Sequence, residues 1–238
     1  MRRLIGVVLG VVLTVGGLPR QAAAGVIYES ALPGPMDWPQ AGAWLSALEF
    51  EGVAFHLDRG VLVTAVGGEL SRYVGGVTPG EGALFAAIVR LSGPSALPSG
   101  NPFNAATTVA ATTFDFVSPL DSYIGMYPVP VDLRIPLSVG LEPGDYGLVF
   151  GAGRFGSPFT AQGTIPITAV PIAGVSPFYF GWNSNDGVTG YWHGVGGGVT
   201  PMRFVVEGEV VPEPACIVLA AIGLAAMAAR RRRVRGGP

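Results

Sequence analysis

The chain contains no lysine and only one cysteine, Cys216, among its 238 residues. A lone cysteine excludes an intramolecular disulfide, so burial and hydrogen bonding must hold the fold together. Cys216 lies in an apolar run near the C-terminus and reads as a small apolar residue, with S-acylation as its alternative chemistry. Histidine is nearly as scarce. His56 and His193 are the only two, and no H-x-H or H-x-x-x-H spacing occurs, so neither a histidine metal site nor a cofactor is expected. The formal charge of −2 hides an asymmetry, because residues 25–211 carry fifteen Asp and Glu against six Arg, a net −9. An acidic body without a basic stripe argues against nucleic-acid binding. Nor does that body sustain a 3.6-residue apolar stripe for three turns, which argues against a helical domain.

What is present lies first at the two ends. Residues 1–24 read as a signal peptide: Arg2 and Arg3 form a positive start, and residues 4–18 are apolar apart from Thr14 and glycines. Ala22, Ala23 and Ala24 then offer small residues to signal peptidase, with cleavage expected before Gly25. An uncleaved signal anchor is the alternative. At the other end, residues 211–238 place three units in series. Pro212-Glu213-Pro214 comes first, then an uncharged apolar helix over residues 215–229, then the cations Arg230, Arg231, Arg232, Arg233 and Arg235. Roughly 15 apolar residues at ~1.5 Å each make about 22 Å of helix against a ~30 Å hydrocarbon core, and arginine stems can snorkel across part of the difference. The arginine end belongs in the cytoplasm and everything before Pro212 outside.

This tripartite tail resembles the PEP-CTERM sorting signal of bacterial exported proteins. The resemblance rests on Pro212-Glu213-Pro214, the small-residue apolar helix directly after it and the terminal arginine cluster. It implies recognition by an exosortase, a membrane-embedded cysteine transpeptidase-like enzyme that cleaves near the motif and passes the protein to the cell surface. A plain tail anchor, whose prolines only start the helix, is the competing reading.

Between the ends, about 187 residues suffice for one domain with a substantial core. Short apolar or alternating runs punctuated by Gly, Pro, Asp and Asn point to an all-β fold, a single antiparallel β-sandwich of jelly-roll-like form over residues 25–210. Residues 43–51 are equivocal between a helical turn and an edge strand. Val53, Phe55 and Leu57 alternate with Ala54, His56 and Asp58, and Asp58-Arg59-Gly60 turns into a return strand at residues 61–66, so a hairpin is expected. A separate short strand follows at residues 69–73. Residues 82–91 read as a central strand apolar on both faces, residues 92–104 as a loop and residues 107–116 as another strand. Pro136 demotes residues 131–139 to an edge. Glu142-Pro143-Gly144-Asp145 turns into a strand at residues 146–150, and the last strong strands are residues 178–182 and 202–207. Leu84-Phe85-Ala86-Ala87-Ile88-Val89, residues 141–151, Phe178-Tyr179-Phe180-Gly181-Trp182-Asn183 and Arg203-Phe204-Val205-Val206-Glu207-Gly208 are also similar to a recurrent ectodomain of exported PEP-CTERM proteins. That resemblance implies a β-sandwich with no assigned catalysis.

Four strings carry candidate chemistry. Gly151-Ala152-Gly153-Arg154-Phe155-Gly156 matches G-x-G-x-x-G, but Ser157-Pro158-Phe159 and no helical period follow, so it reads as a loop closing a strand. His193-Gly194-Val195-Gly196-Gly197-Gly198 is similar to an esterase oxyanion loop, yet the chain has no G-x-S-x-G elbow. Asn183-Ser184-Asn185-Asp186-Gly187 alternates oxygen ligands as a calcium loop does but lacks the bidentate Glu, so a solvated turn is preferred. Tyr179, Trp182, Tyr191 and Trp192 are candidates for a ligand-facing, sugar-stacking set, against a core-packing reading that is preferred. No catalytic residue is assigned and no enzyme is expected. The functional expectation is a structural or adhesive role in a surface or polysaccharide matrix. An exopolysaccharide-binding module is the alternative and a cryptic hydrolase the third. Expected partners are signal peptidase, exosortase, the membrane through the C-terminal helix and surface polysaccharide.

Overall fold

The structure, a computed structural model, describes residues 25–34, 42–72, 82–115, 123–124, 127–128, 130–195 and 201–211. The signal peptide, Pro212-Glu213-Pro214, the helix at residues 215–229 and the terminal arginines lie outside the described residues. Strands β1 (Gly25–Glu29), β2 (Ala31–Leu32), β3 (Gly42–Leu45), β4 (Glu49–Leu57) and β5 (Val61–Arg72) come first. Then follow β6 (Leu84–Arg90), β7 (Thr108–Phe114), β8 (Tyr123–Ile124), β9 (Tyr127–Pro128) and β10 (Val131–Leu141). The last six are β11 (Gly144–Gly151), β12 (Gly163–Pro166), β13 (Val170–Pro171), β14 (Phe178–Ser184), β15 (Gly190–Gly194) and β16 (Phe204–Val210). Among the described residues there is no helix, so none is long and apolar enough to cross a membrane.

All pairings are antiparallel. A first sheet runs β1-β16-β5-β12-β3, with β10 also on β5; a second runs β15-β14-β4-β11-β6-β7. Alternation on each strand selects the side chains that meet between them. Val53, Phe55, Leu148 and Phe150 of the second sheet share one buried cluster with Val63, Val66, Phe204 and Val206 of the first. Tyr28 stacks on Phe55 with centroids 5.4 Å apart, which ties β1 to β4 across the same interface. The opposite face of the second sheet is also dry. Phe50, Phe85, Phe180 and Trp182 are buried there, with Phe103 of the loop after β6 packed against them. Strand β6 therefore lies between two apolar layers, which is why Leu84 to Val89 form an unbroken apolar run with every residue buried.

Two expectations are corrected. Residues 52–58 and 61–66 do not form a hairpin: β4 pairs with β11 and β14, whereas β5 pairs with β16, β10 and β12. Their apolar faces meet across the interface rather than side by side, so the turn at Asp58-Arg59-Gly60 carries the chain from one sheet to the other. The turn after β10 does the same, since β10 belongs to the first sheet and β11 to the second. The separate strand at residues 69–73 is the continuation of β5 through Gly67 and Gly68. A Cβ at Gly67 would strike the Leu133 carbonyl oxygen, and one at Gly68 that of Arg203. These glycines admit close backbone approach from both neighbours instead of breaking the strand. The equivocal residues 43–51 resolve into edge strand β3, a tight turn and the start of β4. Pro136 lies on β10, which among the described residues pairs only with β5 and shifts register between Pro136 and Val139.

An ion network braces the first sheet. Arg203 sends Nη2 to Glu29 Oε1 at 2.7 Å and Nη1 to Asp132, while Arg134 Nε donates to Glu207 Oε1 at 2.6 Å. Arg203 is 5% exposed, so those carboxylates compensate the burial of its guanidinium.

Candidate functional site

The chain changes sheets a second way at the end of β3. Leu45 is fully buried in the core, so the alternation of the edge strand turns its neighbour Trp44 outward, 41% exposed. Residues 46–48 then form a tight turn. Ser46 Oγ accepts from the N–H groups of Leu48 and Glu49, each at 3.1 Å, and the Ser46 N–H donates to the Glu49 carbonyl at 2.9 Å. The Ser184 N–H donates to the Leu48 carbonyl at 2.9 Å, which fastens the end of β14 to this turn. A groove of about 480 Å³ opens at the junction. The β3–β4 corner supplies Trp44, Ser46, Leu48 and Glu49; Gln162 and the β14 end, Asn183 to Asn185, supply the rest.

Behind the groove, register sets two rows on one face of the second sheet. Glu49, Asn183 and Tyr191 stand opposite one another, and so do Glu51, Gly181 and His193. The His193 imidazole lies over Gly181, where a Cβ would sit 3.1 Å from its Cε1. Burial, with Glu49 adding to it, pushes the Glu51 carboxyl up to about 8. Glu51 Oε2 and His193 Nδ1 are buried without a hydrogen-bond partner. Glu51 is thus a neutral acid at pH 7, whereas Glu49 lines the open groove.

The four candidate aromatics divide between two faces. Tyr179 is buried in the core between the sheets, its hydroxyl donating to the Met202 carbonyl at 2.7 Å. Trp182, 1% exposed, stacks on Phe50 on the opposite face. Trp192 pairs with it at 5.4 Å and donates Nε1–H to the Pro102 carbonyl at 2.7 Å. Tyr191 alone of the four presents its ring to solvent, at 64% exposure. Period-two alternation along β14 and β15 separates the tyrosines from the tryptophans, so no common platform is assembled.

The other strings resolve as turns and surface pairs. Asp186 Oδ1 accepts from the N–H groups of Val188 and Thr189 at 2.8 and 2.7 Å, and Oδ2 accepts from the Thr189 hydroxyl at 2.6 Å. Those bonds, Thr189 first, hold its carboxyl far below the usual range and occupy both oxygens in turn-making. Gly151 ends β11, and Gly153, Phe155 and Gly156 all take positive φ in a compact loop that no helix follows. His56 is exposed on β4 with Nδ1 2.7 Å from Asp145 Oδ1 and Nε2 3.3 Å from Asp58.

Sequence reasoning missed the groove because its walls come from three separated segments, around positions 44–49, 162 and 183–185. The one available signal was Trp44, a large ring between the inward-facing Ala43 and Leu45. No curated protein matches the chain. Residues 210–233, in contrast, match the family model described as the PEP-CTERM protein-sorting motif, so the chain carries a sorting signal that implies export and processing by an exosortase.

Proposed function

We propose that this is an exported surface or extracellular-matrix protein whose β-rich body, read as a jelly-roll-like sandwich, has a structural or adhesive role and no catalytic one. In this reading signal peptidase removes residues 1–24, and the helix at residues 215–229 holds an inner-membrane intermediate with the arginines in the cytoplasm. An exosortase then acts at Pro212-Glu213-Pro214. The observation that carries it is the contiguity of body and signal. The sorting match begins at Val210, the last residue of β16, and the Val211 N–H still donates to the Gly60 carbonyl at 2.9 Å. Sorting is thus built onto a core strand. The prolines keep the motif extended, and Glu213 resists burial in the bilayer.

The test is mass spectrometry of the mature C-terminus in a host with its cognate exosortase. Glu213→Ala and Pro214→Ala are expected to leave membrane insertion intact and stop surface delivery. Intact peptide through Arg235 in surface material would leave only the plain tail anchor.

A second reading, a carbohydrate-binding module, is favoured by the groove beside Trp44. The hydrolase reading lacks comparable support: His193 Nδ1 has no hydrogen-bond partner, so no hydroxyl is activated through that nitrogen.

A further inference from the structure

We infer that the groove between the β3–β4 turn and the β14–β15 turn binds a neutral saccharide, with Trp44 as its stacking face. The inference rests on the carbohydrate-binding reading and is independent of the sorting one. It assigns the site to residues other than the aromatic set that the sequence singled out.

Size comes first. At about 480 Å³ the groove falls among small-molecule sites, which run from ~300 to 1,000 Å³. Chemistry narrows the ligand. A pyranose presents an apolar C–H face and a rim of hydroxyls that both donate and accept. Trp44 and Leu48 supply apolar surface, while Gln162, Asn183 and Asn185 supply amides that also donate and accept. Glu49 adds an acceptor. The side chains of Glu49, Gln162, Asn183 and Asn185 carry no hydrogen bond to other described residues, so their polar capacity is available to a ligand.

The backbone that presents these heads is already fixed. Ser184 Oγ accepts from the Gly187 N–H at 2.8 Å and donates to the Thr189 carbonyl at 2.6 Å. On the facing side Ser46 closes the β3–β4 turn through its two bonds to Leu48 and Glu49. Such preorganisation lowers the ordering cost of binding a flexible ligand.

Charge selects within saccharides. Among the described residues the groove's lining holds one ionisable group, Glu49, and no arginine, within a body of net charge −9. A uronic-acid polymer would set its carboxylates against Glu49 with no cation among the described lining residues to offset them. A neutral sugar meets no such repulsion.

The experiment uses the full chain in a sugar-free zwitterionic detergent. Calorimetry measures binding of cellohexaose, laminarihexaose and mannohexaose, with hexagalacturonate as the charged comparison. At least one neutral hexasaccharide is expected to bind with Kd of about 1 mM or tighter, and hexagalacturonate more weakly. Trp44→Ala is expected to weaken that binding about tenfold, while Trp44→Phe retains most of it. Asn185→Ala, in an exposed turn where folding is not at stake, is expected to weaken it as well. Neutral binding unchanged by both Trp44→Ala and Asn185→Ala overturns the groove assignment and leaves the carbohydrate reading standing elsewhere on the body. Binding of none of the three neutral sugars overturns both. Preference for hexagalacturonate overturns the neutral assignment.

Discussion

Phe150 of β11 and Phe204 of β16 stack between the two sheets, centroids 5.6 Å apart and planes 19° from parallel. Both are fully buried, and they come from strands that never share a hydrogen bond. The pair is therefore a direct measure of how firmly one sheet holds the other. Phe204→Ala is expected to cost about 3–5 kcal/mol in urea denaturation, and Phe204→Leu about 1 kcal/mol. A loss below about 1 kcal/mol for the alanine variant would mean that the sheets do not depend on this interface.

Arg203 offers a second, electrostatic measure. Arg203→Ala leaves the Glu29 carboxylate without its guanidinium partner and Asp132 with only Arg134, with an expected loss of about 3 kcal/mol. Arg203→Lys recovers only part, because a single ammonium cannot fork to two carboxylates. Thermal melts at low and high salt should show nearly the same loss, since the group is buried from counterions. A loss that vanishes in high salt would place the pair in solvent.

Glu51 sets a pH dependence. Its carboxyl, raised from 4.5 to about 8, keeps in the folded state a proton that the unfolded chain releases. Its contribution to stability is complete below 4.5 and is lost as pH rises through about 8. Glu51→Gln removes that loss. The variant should match the wild type at low pH and melt about 5 °C higher above the folded value. Equal melting temperatures at both extremes would contradict the burial argument.

His56 titrates on the surface. Its imidazole is raised from 6.5, first by the hydrogen bond to Asp145 and further by Asp58. Because the folded value is the higher one, its favourable interaction is present below 6.5 and lost as pH rises through the folded value. Proton NMR of its ring should show a midpoint above 6.5, and Asp145→Asn should bring it down. A midpoint at or below 6.5 in the wild type would break the pairing.

Much of this was legible along the chain where the signal is local. Leu84 to Val89 form a strand dry on both sides, Pro136 marked an edge, and the sorting motif, Pro212-Glu213-Pro214 with its apolar run and arginines, sits in one contiguous stretch. What failed was non-local. The alternation of Val53, Phe55 and Leu57 identifies a buried face but not the sheet it belongs to, and the short turn at Gly60 suggested the nearest partner. Gly67 and Gly68 read as a break because the backbones of Leu133 and Arg203, which need their missing side chains, are 66 and 135 positions away. Strand β15 was hidden by a glycine-rich string that invited a catalytic reading.

The direct passage of β16 into the sorting motif gives the molecule a polarity. Val211, hydrogen-bonded to Gly60, immediately precedes Pro212-Glu213-Pro214 in the sequence. Gly25 shares that end, because it pairs with Gly208. Strand β4 runs from Glu49 at the groove to Leu57 beside this end, and its nine residues span about 26 Å. Both ends of the described body thus lie together at the Leu57 end of β4. Trp44 and its polar neighbours stand at the opposite end, so the groove and the attachment to the sorting motif are separated by the length of one strand.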